Sequence, residues 1–314
     1  MHPAYSVILF TSASGAGYGL LVWLALARLS GAWEIGPATG LAACLLALVL
    51  VTIGLMSSTF HLGHPERAWR AFTQWRSSWL SREGVAAILT YPAALVFTAG
   101  WVWDGVSATL MMAAAAATLL LSLVTVYTTS MIYASLNTIP RWSNGFVTPV
   151  YLLLALASGG LLFSAALGLS GAAGMSDLLL IATVLLVAWV VKWYYWRYID
   201  SATPPSDTGT ATGLGHLGTV TQLEAPHTSE NYLLKEMGYQ VARKHAARLR
   251  RLSLLSGLVV PAVLLLLAGA LQGPVQIALL LVAVISGALG IVNERWLFFA
   301  EARHLVTLYY GRSV

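Results

Sequence analysis

Long apolar stretches alternate with short polar ones along most of the 314-residue chain. A helix needs about 20 consecutive apolar residues to cross the hydrocarbon core of a bilayer. Eight stretches reach that length, so the pattern predicts an all-α polytopic membrane protein, a bundle of eight transmembrane helices. The predicted spans are about 4–29, 38–60, 84–103, 107–136, 146–169, 175–198, 252–271 and 275–300.

The composition agrees with a membrane protein and narrows its chemistry. Hydrophobic residues make up 58% of the chain, and its mean hydropathy is +0.76. A soluble domain of this size could not bury so much apolar surface. The single cysteine, Cys44, lies in an apolar stretch, which predicts a buried packing thiol and excludes a disulfide framework or an iron–sulfur cluster held by this chain. MHPAYSVILF at the N-terminus has no basic segment and predicts a retained first helix.

The distribution of positive charge predicts the orientation in the membrane. Of the 17 Lys and Arg residues, only Arg28 falls on one side of the predicted spans, and the other 16 fall on the opposite side. Cytoplasmic loops carry an excess of Lys and Arg. We therefore expect this basic side, with both termini, to face the cytoplasm from the inner membrane.

The only long polar segment, about 199–251, falls on the same side of the predicted spans. Its first part, SATPPSDTGTATGLGHLG, has the Pro, Gly and Thr content of an irregular connection. Its last part, SENYLLKEMGYQVARKHAARLRR, predicts a basic helix that Ser229 caps and that runs into the seventh span. Such a helix binds anionic lipid or docks a protein partner, and both interpretations stay open.

None of the seven histidines lies in the middle of a predicted span. A transmembrane haem needs two axial ligands on facing helices, so we expect no haem on this chain. The histidines and carboxylates also lack the spacing of a metal site, and no phosphate-binding loop is present. We expect no nucleic-acid partner.

The polar segment HLGHPERAWRAFTQWRSSWLSRE, residues 61–83, joins the second and third spans. His61 ends one span and Glu83 opens the next, so a short loop could bring them together. Histidine titrates near neutrality and a half-buried Glu can approach it, which suits proton exchange with a bound molecule. Arg67 or Arg76 could hold a developing anion beside Trp79 at headgroup depth.

A quinone headgroup fits these residues, because its two carbonyls take up or release protons at the membrane edge. The alternative is a structural loop whose Arg residues meet lipid phosphate. In that case Glu83 pairs with Arg82 or Arg76.

Three stretches resemble the membrane-anchor subunit of the dimethyl sulfoxide reductase family, and the resemblance extends over essentially the whole chain. They are HLGHPERAWRAFTQWRSSWLSREG, MIYASLNTIPRW and TQLEAPHTSENYLLKEMGYQVARKHAARLR. The resemblance implies an anchor that carries no redox metal. It also implies that the anchor holds a ferredoxin-like iron–sulfur subunit, and through it a molybdopterin catalytic subunit, and that it exchanges electrons with ubiquinone or menaquinone. On this basis we expect segment 199–251 to dock the iron–sulfur subunit.

The resemblance also implies residue roles. The family's quinol-site histidine falls on His61 and its functional glutamate on Glu83, and family positions also match Arg67, Tyr133 and Ser135. With the candidates from the loop, the expected quinone-binding residues are His61, Arg67, Arg76, Trp79, Glu83, Tyr133 and Ser135. His61 and Glu83 would exchange the protons.

In the dimethyl sulfoxide reductase that typifies the family, the loop with the histidine faces the periplasm, whereas here it is predicted to face the cytoplasm. The chain therefore looks like the anchor of the related cytoplasmic sulfite-oxidising complex, which would reduce quinone. Substrate catalysis would lie on another chain. The alternatives are the anchor of a reductase of dimethyl sulfoxide or another S- or N-oxide, which oxidises menaquinol, and a secondary transporter. A transporter needs ionisable residues near the midplane, and here the charges are predicted at the rims.

Overall fold

The structure is a computed structural model that describes residues 5–59, 64–203, 205–221, 223–224 and 240–310. The described residues form eight helices of at least 21 residues and no strand. These helices are α1 (Tyr5–Ser30), α2 (Pro37–Thr59), α3 (Trp79–Ala99), α4 (Ala108–Ala134), α5 (Val147–Leu169), α6 (Met175–Ser201), α7 (Ala246–Gly269) and α8 (Pro274–Ala300). The all-α prediction is confirmed.

Seven of these helices are long and apolar enough to cross a membrane, so the chain is a multi-pass membrane protein. The exception is α3, which carries Arg82 and Glu83 near its start. An eightfold crossing and a cytoplasmic location of both termini stay predictions.

Two helices begin earlier than the hydropathy pattern predicts. The third starts at Trp79, where residue 84 was expected, because the polar segment WLSRE folds as helix against the preceding loop. The seventh starts at Ala246, where residue 252 was expected, because the basic segment AARLRRLSL is also helical. The earlier start of α3 moves Glu83 inside the helix, where it is buried.

Small residues bring α1 and α5 into contact at the centre of the bundle. These two helices have the largest buried shares of their spans, 67% and 72%. A Cβ atom on Gly19 would lie 1.9 Å from the carbonyl oxygen of Ala155, and one on Gly159 would lie 2.1 Å from the Gly19 carbonyl carbon. Such close backbone approach is how helices associate where lipid removes the hydrophobic drive.

A π-helical turn at Leu255–Val259 changes the path of α7. It directly precedes Pro261, which has no N–H to donate to the Gly257 carbonyl. The wider turn accommodates this missing bond and presses the α7 backbone against α8. A Cβ atom on Gly290 would lie 2.3 Å from the Cα of Gly257.

One end of the bundle holds the starts of α1, α3, α5 and α7 and the ends of α2, α4, α6 and α8; we call it the basic end. The Ser57 hydroxyl donates to the Ser6 carbonyl there, which joins α2 to α1. Arg250 at the start of α7 donates to Asp200 of α6 and to Glu301, the residue after α8. At the opposite end the Trp33 indole and Asp177 join the α1–α2 connection to α6.

Part of segment 199–251 is described. Asp207 caps a short helix, Thr208–Thr212, and hydrogen bonds from Thr210 lower the pKa of the Asp207 carboxyl. Ser229 and the rest of residues 225–239 lie outside the described residues, so the predicted cap is untested. The helix that resumes at Gln240–Lys244 is interrupted at His245 before α7 begins, so it does not run unbroken into the seventh span.

The contact between α1 and α5 leads to a prediction about stability. Gly19→Ala adds one methyl group where the Ala155 carbonyl already lies, so the helices must separate. Overpacking of this kind costs about 1–3 kcal/mol, and we expect the thermal midpoint of the purified protein to fall by about 5 °C or more. Gly36→Ala is the matched control, because a Cβ atom there meets nothing within 4 Å. Equal midpoints for the two variants would contradict the close packing.

Candidate functional site

The loop between α2 and α3 is folded against the start of α3. Its 3₁₀ helix, Pro65–Gln74, is tied by a hydrogen bond from the Ser81 hydroxyl to the Ala71 carbonyl. The ring of Phe72 fills the space that a side chain at position 84 would need, since a Cβ atom on Gly84 would lie 2.7 Å from it. The sequence therefore determines locally where the Arg and Trp residues of the loop stand.

Arg82 closes this loop and does not pair with Glu83. Its Nε and Nη2 atoms donate to the carbonyls of Trp75 and Arg76, at 3.0 and 2.7 Å. Its guanidinium lies 4.2 Å from the centre of the Trp79 ring, a cation–π contact. Among the described residues, no ion pair joins Glu83 to Arg82 or Arg76, which removes the main support for the purely structural interpretation of Glu83.

Glu83 points into the bundle. Its side chain is 4% exposed, and its Oε1 accepts a 2.5 Å hydrogen bond from the Thr129 hydroxyl of α4. Thr129 also donates to the Thr125 carbonyl one turn earlier, so its position is set by its own helix. A buried carboxyl held by a hydroxyl can bind and release a proton in a site that excludes bulk water.

Tyr133 and Ser135 lie in different surroundings at the end of α4. Tyr133 is buried among the rings of Trp142, Tyr151, Phe298 and Phe299, with centroid distances from 5.2 to 5.7 Å. Ser135 is the exposed residue that follows the helix. Tyr133 therefore belongs to an aromatic cluster that fills the basic end.

The other candidates lie on the surface or outside the described residues. Arg67 is exposed and lies 3.7 Å from Glu66, and the exposed Arg76 stacks on Trp75. Trp79 is half-buried and meets Tyr127 edge to face. His61 lies outside the described residues, so its distance from Glu83 stays a prediction.

A buried ionic cluster was missed by the sequence analysis. Lys192 of α6 lies 2.5 Å from Glu294 of α8, and Arg295 lies 2.5 Å from the other oxygen of the same carboxylate. Lys192 also lies 4.0 Å from the Tyr195 ring centre, and Arg295 lies 4.1 Å from that of Tyr151.

The prediction that all charges lie at the rims is wrong for Lys192, Glu294 and Arg295, which are at most 2% exposed. All three fall inside the predicted spans, and this could have signalled burial. The positive-inside count treated the two cations as surface charges, whereas their shared carboxylate lets them stay in the interior.

The described residues include no group of three or more His, Cys, Asp or Glu side chains that could hold a metal ion. Cys44 is buried and free, as the sequence predicts.

Comparison with known proteins adds two findings. The profile of the DMSO reductase anchor subunit (DmsC) family matches residues 1–311. The chain is also 34% identical to one of the subunits of the sulfite dehydrogenase of Allochromatium vinosum over 329 aligned residues, which cover 99% of each chain.

The ionic cluster predicts an asymmetric response to mutation. Glu294→Gln leaves Lys192 and Arg295 as two buried cations without a carboxylate, a change that costs about 3–5 kcal/mol. Lys192→Met leaves the neutral pair of Glu294 and Arg295. We expect folded protein to be lost for the first variant and retained for the second, measured as monodisperse yield and thermal midpoint in detergent. Equal losses would contradict this charge balance.

Proposed function

The chain belongs to the family of DMSO reductase anchor subunits, and we propose that it anchors a molybdenum-containing oxidoreductase at the cytoplasmic face of the membrane and exchanges that complex's electrons with quinone. The observation that carries this proposal is Glu83, a buried carboxyl bonded to Thr129 directly behind a loop of Arg and Trp residues. Ionisable residues inside a membrane bundle are costly and are typically functional.

The proposed reaction is the reduction of quinone by electrons from sulfite. Sulfite and water give sulfate, two protons and two electrons, and quinone takes two electrons and two protons to become quinol. The electrons would leave the catalytic subunit through an iron–sulfur partner docked at the basic end. Glu83 would deliver a proton to a headgroup oxygen and be recharged from the cytoplasmic side together with His61, while Thr129 orients the Glu83 carboxyl.

The surface beside Glu83 suits an acidic partner. Lys244, Arg248 and Arg251 are exposed at and before the start of α7, and Arg67 and Arg76 are exposed on the loop over α3. By contrast, Arg250 is engaged by Asp200 and Glu301 and contributes to packing. An iron–sulfur subunit with a negatively charged face would be attracted to this surface.

The name of the family supports a second direction, in which a DMSO or other S- or N-oxide reductase draws electrons from menaquinol. The same carboxyl would then accept a proton as quinol is oxidised. The substrate of the catalytic partner and the sign of the electron flow decide between these two functions. Family membership disfavours a secondary transporter.

The role of Glu83 predicts a selective defect. Glu83→Gln and His61→Ala should leave the complex assembled and able to oxidise its substrate with a soluble artificial acceptor. Quinone-linked turnover in membranes should fall about 10²–10⁴-fold, as expected when a positioned acid or base is removed. Glu34→Gln makes the same chemical change at an exposed site between α1 and α2 and should be silent. Normal quinone-linked rates in both test variants would show that the proton donor lies elsewhere.

The proposed orientation predicts the outcome of reporter fusions. A phosphatase that is active only in the periplasm should give no signal when fused after Val314, because the basic end is expected in the cytoplasm. The same reporter inserted at Gly171–Ala173, between α5 and α6, should be active. The reverse pattern would place the candidate site on the periplasmic side and remove the argument for a cytoplasmic sulfite-oxidising complex.

A further inference from the structure

A small polar cavity lies inside the bundle between α1, α4, α5 and α8. Its walls include Ser12, Tyr18, Tyr151 and Arg295, together with Thr129, the partner of Glu83. About 20 Å³ is open to the centre of a water molecule. A polar cavity of this size holds a single water.

Two donors in the cavity wall have no hydrogen-bond acceptor within the part of the chain that the structure describes. They are the hydroxyl of Ser12, a residue 8% exposed, and the Nη2 atom of Arg295, a residue 2% exposed. The neighbouring Ser158 hydroxyl, by contrast, donates to the Leu154 carbonyl at 2.8 Å. Buried donors almost always meet an acceptor, so a water or a ligand oxygen is expected in this space.

A larger apolar cleft adjoins the polar cavity. It offers about 300 Å³ to water-sized centres and runs between α1, α2, α5 and α8, with Leu50, Leu162 and Ala288 among its walls. Ser12 and Ser158 belong to the walls of both spaces. An apolar molecule in the cleft can therefore present a polar atom to the Ser12 hydroxyl and to the cavity behind it.

The depth of this polar group indicates which molecule fits. Ser12 is seven residues after the first residue of α1, which places it about 10 Å inside the helix at 1.5 Å per residue. A phospholipid keeps its polar atoms at the membrane surface and offers only acyl chain at that depth. An isoprenoid quinone carries carbonyl oxygens on an otherwise apolar body.

We propose that the cleft binds the ring and tail of the quinone, with one ring carbonyl accepting a hydrogen bond from Ser12. The polar cavity behind Ser12 holds the water that links this carbonyl to the Thr129–Glu83 pair. The inference rests on the proposed quinone function and adds the binding site, the route of entry from lipid and the path of the proton.

The tail position is tested with quinones that share one ring and differ in tail length. Ala288 is exposed and lines the cleft, so Ala288→Trp should fill its mouth. In the purified complex we expect the KM for a long-tailed quinone to rise about tenfold, and the KM for a tail-less quinone to stay within about twofold, since only tail binding is lost. Leu289→Trp is the matched control, because Leu289 is 63% exposed and is not part of the cleft wall.

The headgroup position is tested with Ser12→Ala. Its turnover should fall with both quinones and stay normal with the soluble acceptor. Ser164→Ala removes a buried hydroxyl that bonds only within α5, to the Leu161 carbonyl, and should be silent.

The outcomes separate the two proposals. If Glu83→Gln abolishes quinone-linked turnover while Ala288→Trp and Ser12→Ala behave as wild type with every quinone, the cleft holds only lipid and the inference is overturned. If the wild-type complex reduces or oxidises no quinone at all, the proposed function fails and the inference fails with it.

Discussion

The carboxylate of Glu294, shared by Lys192 and Arg295, is the interaction on which the basic end of the bundle depends. It joins α6 to α8 inside a low-dielectric interior, where an uncompensated charge is far more costly than at a surface. Arg295 then lies on the Tyr151 ring, which connects α5 to the pair, and Phe298 continues the contact to Tyr133 of α4. The charge pairing and the aromatic cluster together set the place of α4. Helix α4 in turn presents Thr129 to Glu83.

The sequence was a reliable guide to the number and approximate bounds of the long helices, because about 20 apolar residues have few other uses in lipid. It was less reliable at the start of α3. WLSRE looks like loop by hydropathy, yet Ser81 and Arg82 satisfy loop carbonyls and make it helical. The buried cations were misassigned for a related reason. Nothing near Lys192 in the sequence shows that Glu294, a hundred residues later, lies across from it.

The candidate site was predictable in part. The family resemblance identified Glu83, and its buried position agrees with a functional role more than with a surface ion pair. Thr129 could not be predicted, because its meeting with Glu83 depends on how α3 packs on α4. The apolar cleft was equally hidden, since its walls come from four helices and read in the sequence as ordinary lipid-facing residues. Arg67 and Arg76 are exposed, which suits partner docking at least as well as contact with quinone.

The central claim is that a quinone headgroup binds inside the basic end, between α1 and the Glu83–Thr129 pair. Photolabelling tests this most directly: a quinone with an azide on its ring is irradiated in membranes that contain the complex, and the labelled peptides are mapped by mass spectrometry. The account predicts labels on the first half of α1 around Ser12 and on the facing residues of α4, α5 and α8, with competition by unmodified quinone. Competable labels confined to the opposite end, around Trp33 and Asp177, would contradict it.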